Sequence, residues 1–177
     1  MKTSRTAAMT RMAIMLGVWA IFSGCAHNYV ARQVTLEKGT VPAFTGTKAV
    51  AVLNVQDSTE PFLMGQMGIH SYNANLHEWT DTAVDMLEKE LKDKGISVSD
   101  GAKRQLKLTV KRANVHWGMV KVRCITDLKV ETGDGYSNDF TGDAASGWTL
   151  FKACDRALAR AVGEALNDDK ILKYLAD

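Results

Sequence analysis

A long amphipathic segment between Leu76 and Lys94 constrains the fold of this chain more than any other pattern in it. Asn75 stands where a helix N-cap is expected, and Glu78 follows three residues later, as in a capping box. Gly95 can end the helix with a positive φ. The apolar residues recur at helical spacing, at Leu76, Trp79, Ala83, Met86, Leu87 and Leu91. The segment therefore predicts a helix whose apolar face must be buried against another element.

Strand-like patterns lie on both sides of this helix. Residues 48–56 are almost continuously apolar, which is typical of a strand covered on both faces. Beyond the helix, the strand patterns cover residues 96–99, 104–117, 119–132 and 136–145. Glycines near residue 118 and at 133–135 favour hairpin turns between them. Residues 57–74 are polar and contain glycine, so we expect a loop there.

Two further helices are predicted near the end of the chain, over residues 149–166 and 168–176. The order strand, helix, several strands, helix favours an α+β domain. The simplest arrangement is one mostly antiparallel sheet of about four to five strands with two main helices packed on one face, since each helix has one apolar stripe to bury.

The first 24 residues have the organisation of a secretory signal. Lys2, Arg5 and Arg11 supply positive charge, and Met12 to Phe22 form an apolar run just before Cys25. This run is too short to cross a bilayer as a helix, which takes roughly 20 apolar residues. We therefore expect residues 1–24 to be a removed signal peptide, residues 25–47 to be a tether and residues 48–177 to form a single domain.

The residues around Cys25 resemble a lipobox, the pattern at which bacterial lipoprotein precursors are acylated on a cysteine and cut just before it. Ser23 and Gly24 are the small residues of that pattern, although Phe22 stands where leucine is usual. The resemblance implies a lipid anchor on Cys25 and a location in the bacterial cell envelope. Ala26, rather than aspartate, after the cysteine favours the outer membrane in enteric-type sorting.

The charge balance argues against a nucleic-acid partner. The whole chain has a net charge of +2, but three of its 22 basic residues lie in the predicted signal. The remaining 153 residues carry 19 basic and 20 acidic residues, a net charge of −1, and the two signs are interspersed. Binding to nucleic acid through its phosphates requires a clustered basic face.

Cys124 and Cys154 are the two cysteines that follow Cys25. In the predicted fold, both side chains point inward, one from a strand and the other from the second main helix. An envelope compartment permits disulfides. The sequence leaves two alternatives open, a disulfide between Cys124 and Cys154 or two unpaired core thiols. A disulfide requires the two Cα atoms to lie within about 7 Å, and the sequence does not give that distance.

The predicted loop contains three candidate metal ligands, Met64, Met67 and His70, and His77 follows shortly after it. Thioethers and imidazoles suit Cu(I), so copper handling is one interpretation. The interpretation we favour is a glycine-containing loop whose methionines cover the sheet edge or contact a partner.

No catalytic motif is present in the sequence. His77-Glu78 begins HEWTD, which lacks the second histidine of the zinc-protease pattern, and there is no nucleophile elbow or phosphate-binding glycine loop. Asp134, Asp139 and Asp143 lack the spacing of a calcium loop and are typical of turns. We expect a non-enzymatic protein without a cofactor.

From Met86 to its end, the chain resembles the YajG-type family of small bacterial lipoproteins, whose function is largely uncharacterised. The resemblance is carried by Leu87–Leu91 with Gly95–Val98, Leu106–Val110, Tyr136–Gly142, Trp148, and Ala157–Leu175 with Asp169 and Tyr174. It implies an outer-membrane lipoprotein with an α/β domain and implies no substrate. We therefore expect an envelope component that binds a protein or another envelope partner, with copper handling as the alternative.

Overall fold

The computed structural model describes residues 25–37, 48–147 and 149–176. The predicted signal peptide and residues 38–47 of the predicted tether lie outside the described residues, as do Trp148 and Asp177. In chain order, the elements are β1 (Cys25–Asn28), β2 (Val50–Asn54), β3 (Pro61–Met67), β4 (His70–Asn75), α1 (Leu76–Asp93), β5 (Arg104–Trp117), β6 (Val122–Thr132), β7 (Ser137–Ser146), α2 (Leu150–Ala165) and α3 (Asp169–Ala176). The described residues thus form an α+β fold, as predicted.

Four strands form the larger sheet, in the order β2-β5-β6-β7. β2 runs parallel to β5, and the remaining neighbours are antiparallel. Every second residue of β6 is buried, from Val122 to Thr132, because successive side chains of a strand point to opposite faces. α1 packs against β2 and β5, while α2 packs against β6 and β7.

A second, three-stranded sheet replaces the predicted loop. β3 and β4 form a hairpin within residues 57–74 and the residue after them, and β1 adds to β4 in parallel. The loop prediction was wrong because the hairpin lacks an alternating apolar pattern. Of its side chains, only Met64 and Ala74 are buried. Local periodicity predicts a strand only when one face enters a core, and most of this hairpin does not.

The prediction of one mostly antiparallel sheet of about four to five strands was also wrong. Both sheets are mixed, since each contains one parallel pair, β1 with β4 and β2 with β5. These pairs join segments far apart in the chain, which local patterns do not reveal. The predicted strand at residues 96–99 is reduced to one parallel bridge between Val50 and Val98.

Residues 25–37 belong to the folded body, in contrast to the predicted tether. Cys25–Asn28 form β1, and Tyr29, Ala31 and Leu36 are buried in the core. The chain therefore passes from the predicted lipid site directly into packed structure.

The predicted helix boundaries of α1 are confirmed by its caps. The side chain of Asn75 accepts hydrogen bonds from the backbone N–H groups of His77 at 2.9 Å and Glu78 at 3.3 Å. Gly95 follows the helix with a φ of +80°. Local sequence therefore suffices to start and stop this helix.

α2 and β7 approach so closely at Gly142 that no side chain fits between them. A Cβ there would overlap the carbonyl oxygen of Ala157 and lie 2.6 Å from the backbone nitrogen of Ala161. Both of these groups are helix backbone, which cannot turn aside as a flexible side chain can.

We expect Gly142→Ala to lower the free energy of unfolding by about 3 kcal/mol, the upper end for overpacking, because the helix must shift away from the sheet. Urea unfolding followed by circular dichroism measures this change. Gly101→Ala is the matched control, since no atom lies within 4 Å of its added Cβ. Equal stability of the two variants would contradict the close approach.

Candidate functional site

The candidate site is the end of the domain at which the described chain begins. Cys25 is exposed and is the first residue of β1, where it pairs in register with His70 of β4. Acyl chains on its sulfur would therefore be attached to a strand of the domain and not to a free tether.

An aromatic cluster lies beside Cys25 on the small sheet. Register partners in a sheet point to the same face, so His27 lies next to Tyr72. The His27 ring stacks on Tyr72 with 5.2 Å between centroids, and its Nε2 is 3.0 Å from Nδ1 of His70. Tyr72 in turn contacts Trp117, at 5.3 Å between centroids. The beginning of β1 is thus joined to the end of β5.

A β-bulge in β5 changes which of its side chains face inward before the strand reaches this cluster. The register between β5 and β6 shifts between Val110 and Arg112, so that the inward positions change from even to odd numbers. Val115 then meets β3 at Gly65, where a Cβ would come within 2.9 Å of the Val115 carbonyl oxygen. The two sheets therefore pack against each other where the aromatic rings meet.

Tyr29, directly after β1, is hydrogen-bonded in the interior. Its hydroxyl donates to the carboxylate of Asp155 on α2, and the backbone N–H of Arg32 donates to Oδ1 of the same carboxylate at 2.8 Å. Asp155 is buried. Burial and then this hydrogen bond raise the pKa of Tyr29 above its ordinary value. The phenol therefore stays protonated and remains a donor throughout the physiological pH range.

α1 holds the same segment from the other side. Nε1 of Trp79 donates to the carbonyl oxygen of Tyr29 at 3.0 Å, and Oγ1 of Thr82 donates to that of Ala31 at 3.0 Å. The Tyr29 ring also lies edge-on to Trp79, at 5.8 Å between centroids. Residues 29–32 are thus fixed to both main helices. Sequence reasoning missed this contact, although a carboxylate at Asp155, on the apolar stripe of α2, was a signal for it.

We expect Tyr29→Phe to lower the free energy of unfolding by about 2 kcal/mol, because Asp155 would remain buried with one donor fewer. Amide hydrogen exchange of residues 25–37 should also become faster in this variant. Tyr136→Phe is the control. The Tyr136 hydroxyl also donates to a carboxylate, that of Asp168 at 2.8 Å, but neither residue belongs to residues 25–37. Faster exchange in both variants, or in neither, would contradict a specific clamp.

The structure does not assemble the predicted metal ligands. Met67 and His70 are register partners, but Met64 is buried in the core. His77 lies on α1, with Nδ1 2.6 Å from the carbonyl oxygen of Gln56. Within the described residues, no group of three or more His, Cys, Asp or Glu side chains is placed to hold a metal ion. The ring beside His70 is that of His27, which the sequence analysis did not single out.

Cys124 and Cys154 meet in the core between β6 and α2. Both are fully buried free thiols. The hydrogen bond between the two thiols and then burial raise the pKa of Cys154 above its ordinary value. The inward orientation predicted for both side chains is therefore confirmed, and the thiolate that reacts with oxidants is disfavoured.

We expect neither of these thiols to react with DTNB in the native protein at pH 8, and both to react in denaturant. Burial shields both thiols from the reagent, and the raised pKa of Cys154 keeps that residue in its thiol form to higher pH, so any native reaction of Cys154 should speed up only well above pH 8. In unacylated protein, the exposed Cys25 serves as the internal control and should react at once. Absence of the two buried thiols in denaturant would show a disulfide and contradict the prediction.

Helices of the described residues are all too short or too polar to cross a bilayer. Comparison with known proteins found no matching family model and no significantly similar curated protein. The resemblance to YajG-type lipoproteins therefore remains a prediction from the residues.

Proposed function

We propose that this chain is a lipid-anchored component of the bacterial cell envelope, acylated on Cys25 and located at the outer membrane. The observation that carries the proposal is the exposure of Cys25 at the start of β1, directly after a signal-like segment that ends in Ser23 and Gly24. An exposed thiol at a predicted cleavage point is open to modification and, once modified, becomes the first residue of the domain.

The physical requirement for stable anchoring is more than one acyl chain. Each buried CH₂ contributes about 0.8 kcal/mol, and a single chain of ordinary length binds only marginally and reversibly. A diacylglycerol thioether on the sulfur with a further chain on the new amino group would anchor Cys25 durably. Both groups belong to Cys25, so one residue supplies the whole anchor.

We further propose a non-enzymatic role in which the domain binds an envelope partner. The β3–β4 hairpin supports this, because it is the region in which the sequence predicts a contact surface and its outer side chains remain exposed, with Leu63 among them. The copper alternative has less support, since Met64 and His77 have other partners in the fold.

The decisive experiment is metabolic labelling of the chain with an alkyne fatty acid in a Gram-negative host. We expect the wild-type protein to incorporate the label and its mature form to begin at residue 25 by mass spectrometry. Cys25→Ser should lose the label completely and remain uncleaved, because the sulfur is the acyl acceptor.

Cys124→Ala provides the control, since it removes a buried cysteine and leaves Cys25 unchanged. This variant should keep the label. A label that persists in Cys25→Ser, or a wild-type protein that never acquires one, would overturn the proposed anchor.

A further inference from the structure

Two hairpin tips near Cys25 expose large apolar side chains. The β3–β4 tip carries Met67 and Ile69, which are 46% and 68% exposed. The β5–β6 tip carries Met119 and Val120, which are 100% and 65% exposed. Among the described residues, eight large apolar side chains are exposed, and four of them lie on these two tips. Single exposed apolar residues are ordinary on protein surfaces, but such a concentration is not.

The turns themselves do not need these side chains. Gly68, with a φ of +59°, supplies the backbone conformation of the first tip. In the second, the N–H of Gly118 donates to the carbonyl oxygen of Lys121 at 2.8 Å. Tight turns favour Gly, Asn, Asp and Ser, so Ile69 and Met119 add nothing to their formation. Their presence indicates a contact outside the domain.

Both tips lie at the Cys25 end of the molecule. Near the beginning of α1, Oγ1 of Thr80 accepts a hydrogen bond from the N–H of Val110 at 3.0 Å. From Val110, β5 continues to Trp117. From Asn75, which directly precedes α1, β4 followed toward its first residue passes Tyr72, whose ring contacts Trp117. Each strand then continues for a few residues to its own tip. The two tips therefore lie at the same end of the molecule as Cys25.

The charge of this end suits an anionic lipid surface. Residues 65–72 and 116–122, which form the two tips and their flanks, contain no Asp or Glu. They do contain Lys121, and His70 and His116 lie on the strands beside the tips. Apolar tips with an adjacent lysine and two histidines, and with no Asp or Glu in either segment, match the interfacial region of a bilayer that contains anionic lipids.

The packed amino-terminal segment leaves the anchor no freedom to move away from the tips. β1 pairs with β4 from Cys25 onward, and Tyr29 is bonded to Asp155. Acyl chains on Cys25 would therefore bring the tips to the membrane surface. We propose that Ile69, Met119 and Val120 insert into the lipid interface beside the acylated Cys25, so that the domain docks on the bilayer in one orientation. This inference rests on the proposed lipidation.

Depth-dependent quenching tests the proposal. The lipidated protein would be reconstituted in phosphatidylethanolamine–phosphatidylglycerol vesicles that contain nitroxide-labelled lipid. A fluorophore would be placed through Met119→Cys or, as the matched control, through Asp100→Cys, which precedes the opposite end of β5. Cys124 and Cys154 are buried and Cys25 is acylated, so the new thiol is the one labelled.

We expect several-fold stronger quenching at position 119 than at position 100. Adding Ile69→Ser and Val120→Ser to Met119→Cys should reduce the quenching at 119 while the fatty-acid label on Cys25 stays unchanged. Equal quenching at the two positions in acylated protein would overturn the insertion of the tips. A second result would also overturn it. If the fluorophore at position 119 becomes less accessible to solvent as protein concentration rises in lipid-free detergent, a second copy of the chain covers the tips instead of lipid.

Failure of lipidation is detected separately, as absence of the fatty-acid label. In that case, protein that begins at residue 25 and carries Cys25→Ser would be floated with the same vesicles, so that the apolar run before residue 25 is absent. Loss of flotation in the triple variant Ile69→Ser, Met119→Ser and Val120→Ser would support the contact of the tips with lipid. Absence of flotation in the parent protein would overturn it.

Discussion

The hydrogen bond between Tyr29 and Asp155 is the interaction on which the arrangement of the candidate site depends. A carboxylate buried in α2 is costly unless it receives hydrogen bonds, and the Tyr29 hydroxyl and the Arg32 N–H supply them. Because both donors come from the amino-terminal segment, the segment must lie on α2, and Trp79 and Thr82 bind it to α1. β1 is thereby held beside β4, and Cys25 becomes part of a sheet.

This constraint changes what a lipid anchor would do. A free tether of some twenty residues would let the domain move far from the membrane. Here residues 25–37 are packed, so the end of the domain that carries Cys25 stays with the lipid. The exposed apolar tips and the aromatic contacts through Tyr72 belong to that same end, and residues 65–72 and 116–122 contain no Asp or Glu. One surface therefore combines the proposed anchor with the proposed membrane contact.

Sequence reasoning succeeded where a residue's neighbours along the chain determine its structure. α1 begins after Asn75 and ends before Gly95, as its caps predict, and the inward orientation of Cys124 and Cys154 follows from their strand and helix periods. It failed for β3 and β4, because only Met64 and Ala74 of that hairpin enter the core. The surroundings of the copper-ligand candidates were hidden for a related reason, since spacing along the chain did not show that Met64 is buried or that Nδ1 of His77 contacts the carbonyl oxygen of Gln56.

The sequence by itself determined the helices, the antiparallel strands from β5 to β7 and Cys25 as the candidate anchor, because each depends on a local pattern of apolar spacing, caps or small residues. Only the tertiary structure decided the two parallel pairs, the burial of Tyr29 against Asp155 and the position of the two tips beside Cys25. These features join residues that are tens of positions apart. They form because buried polar groups must find partners and apolar faces must be covered, wherever in the chain those partners lie.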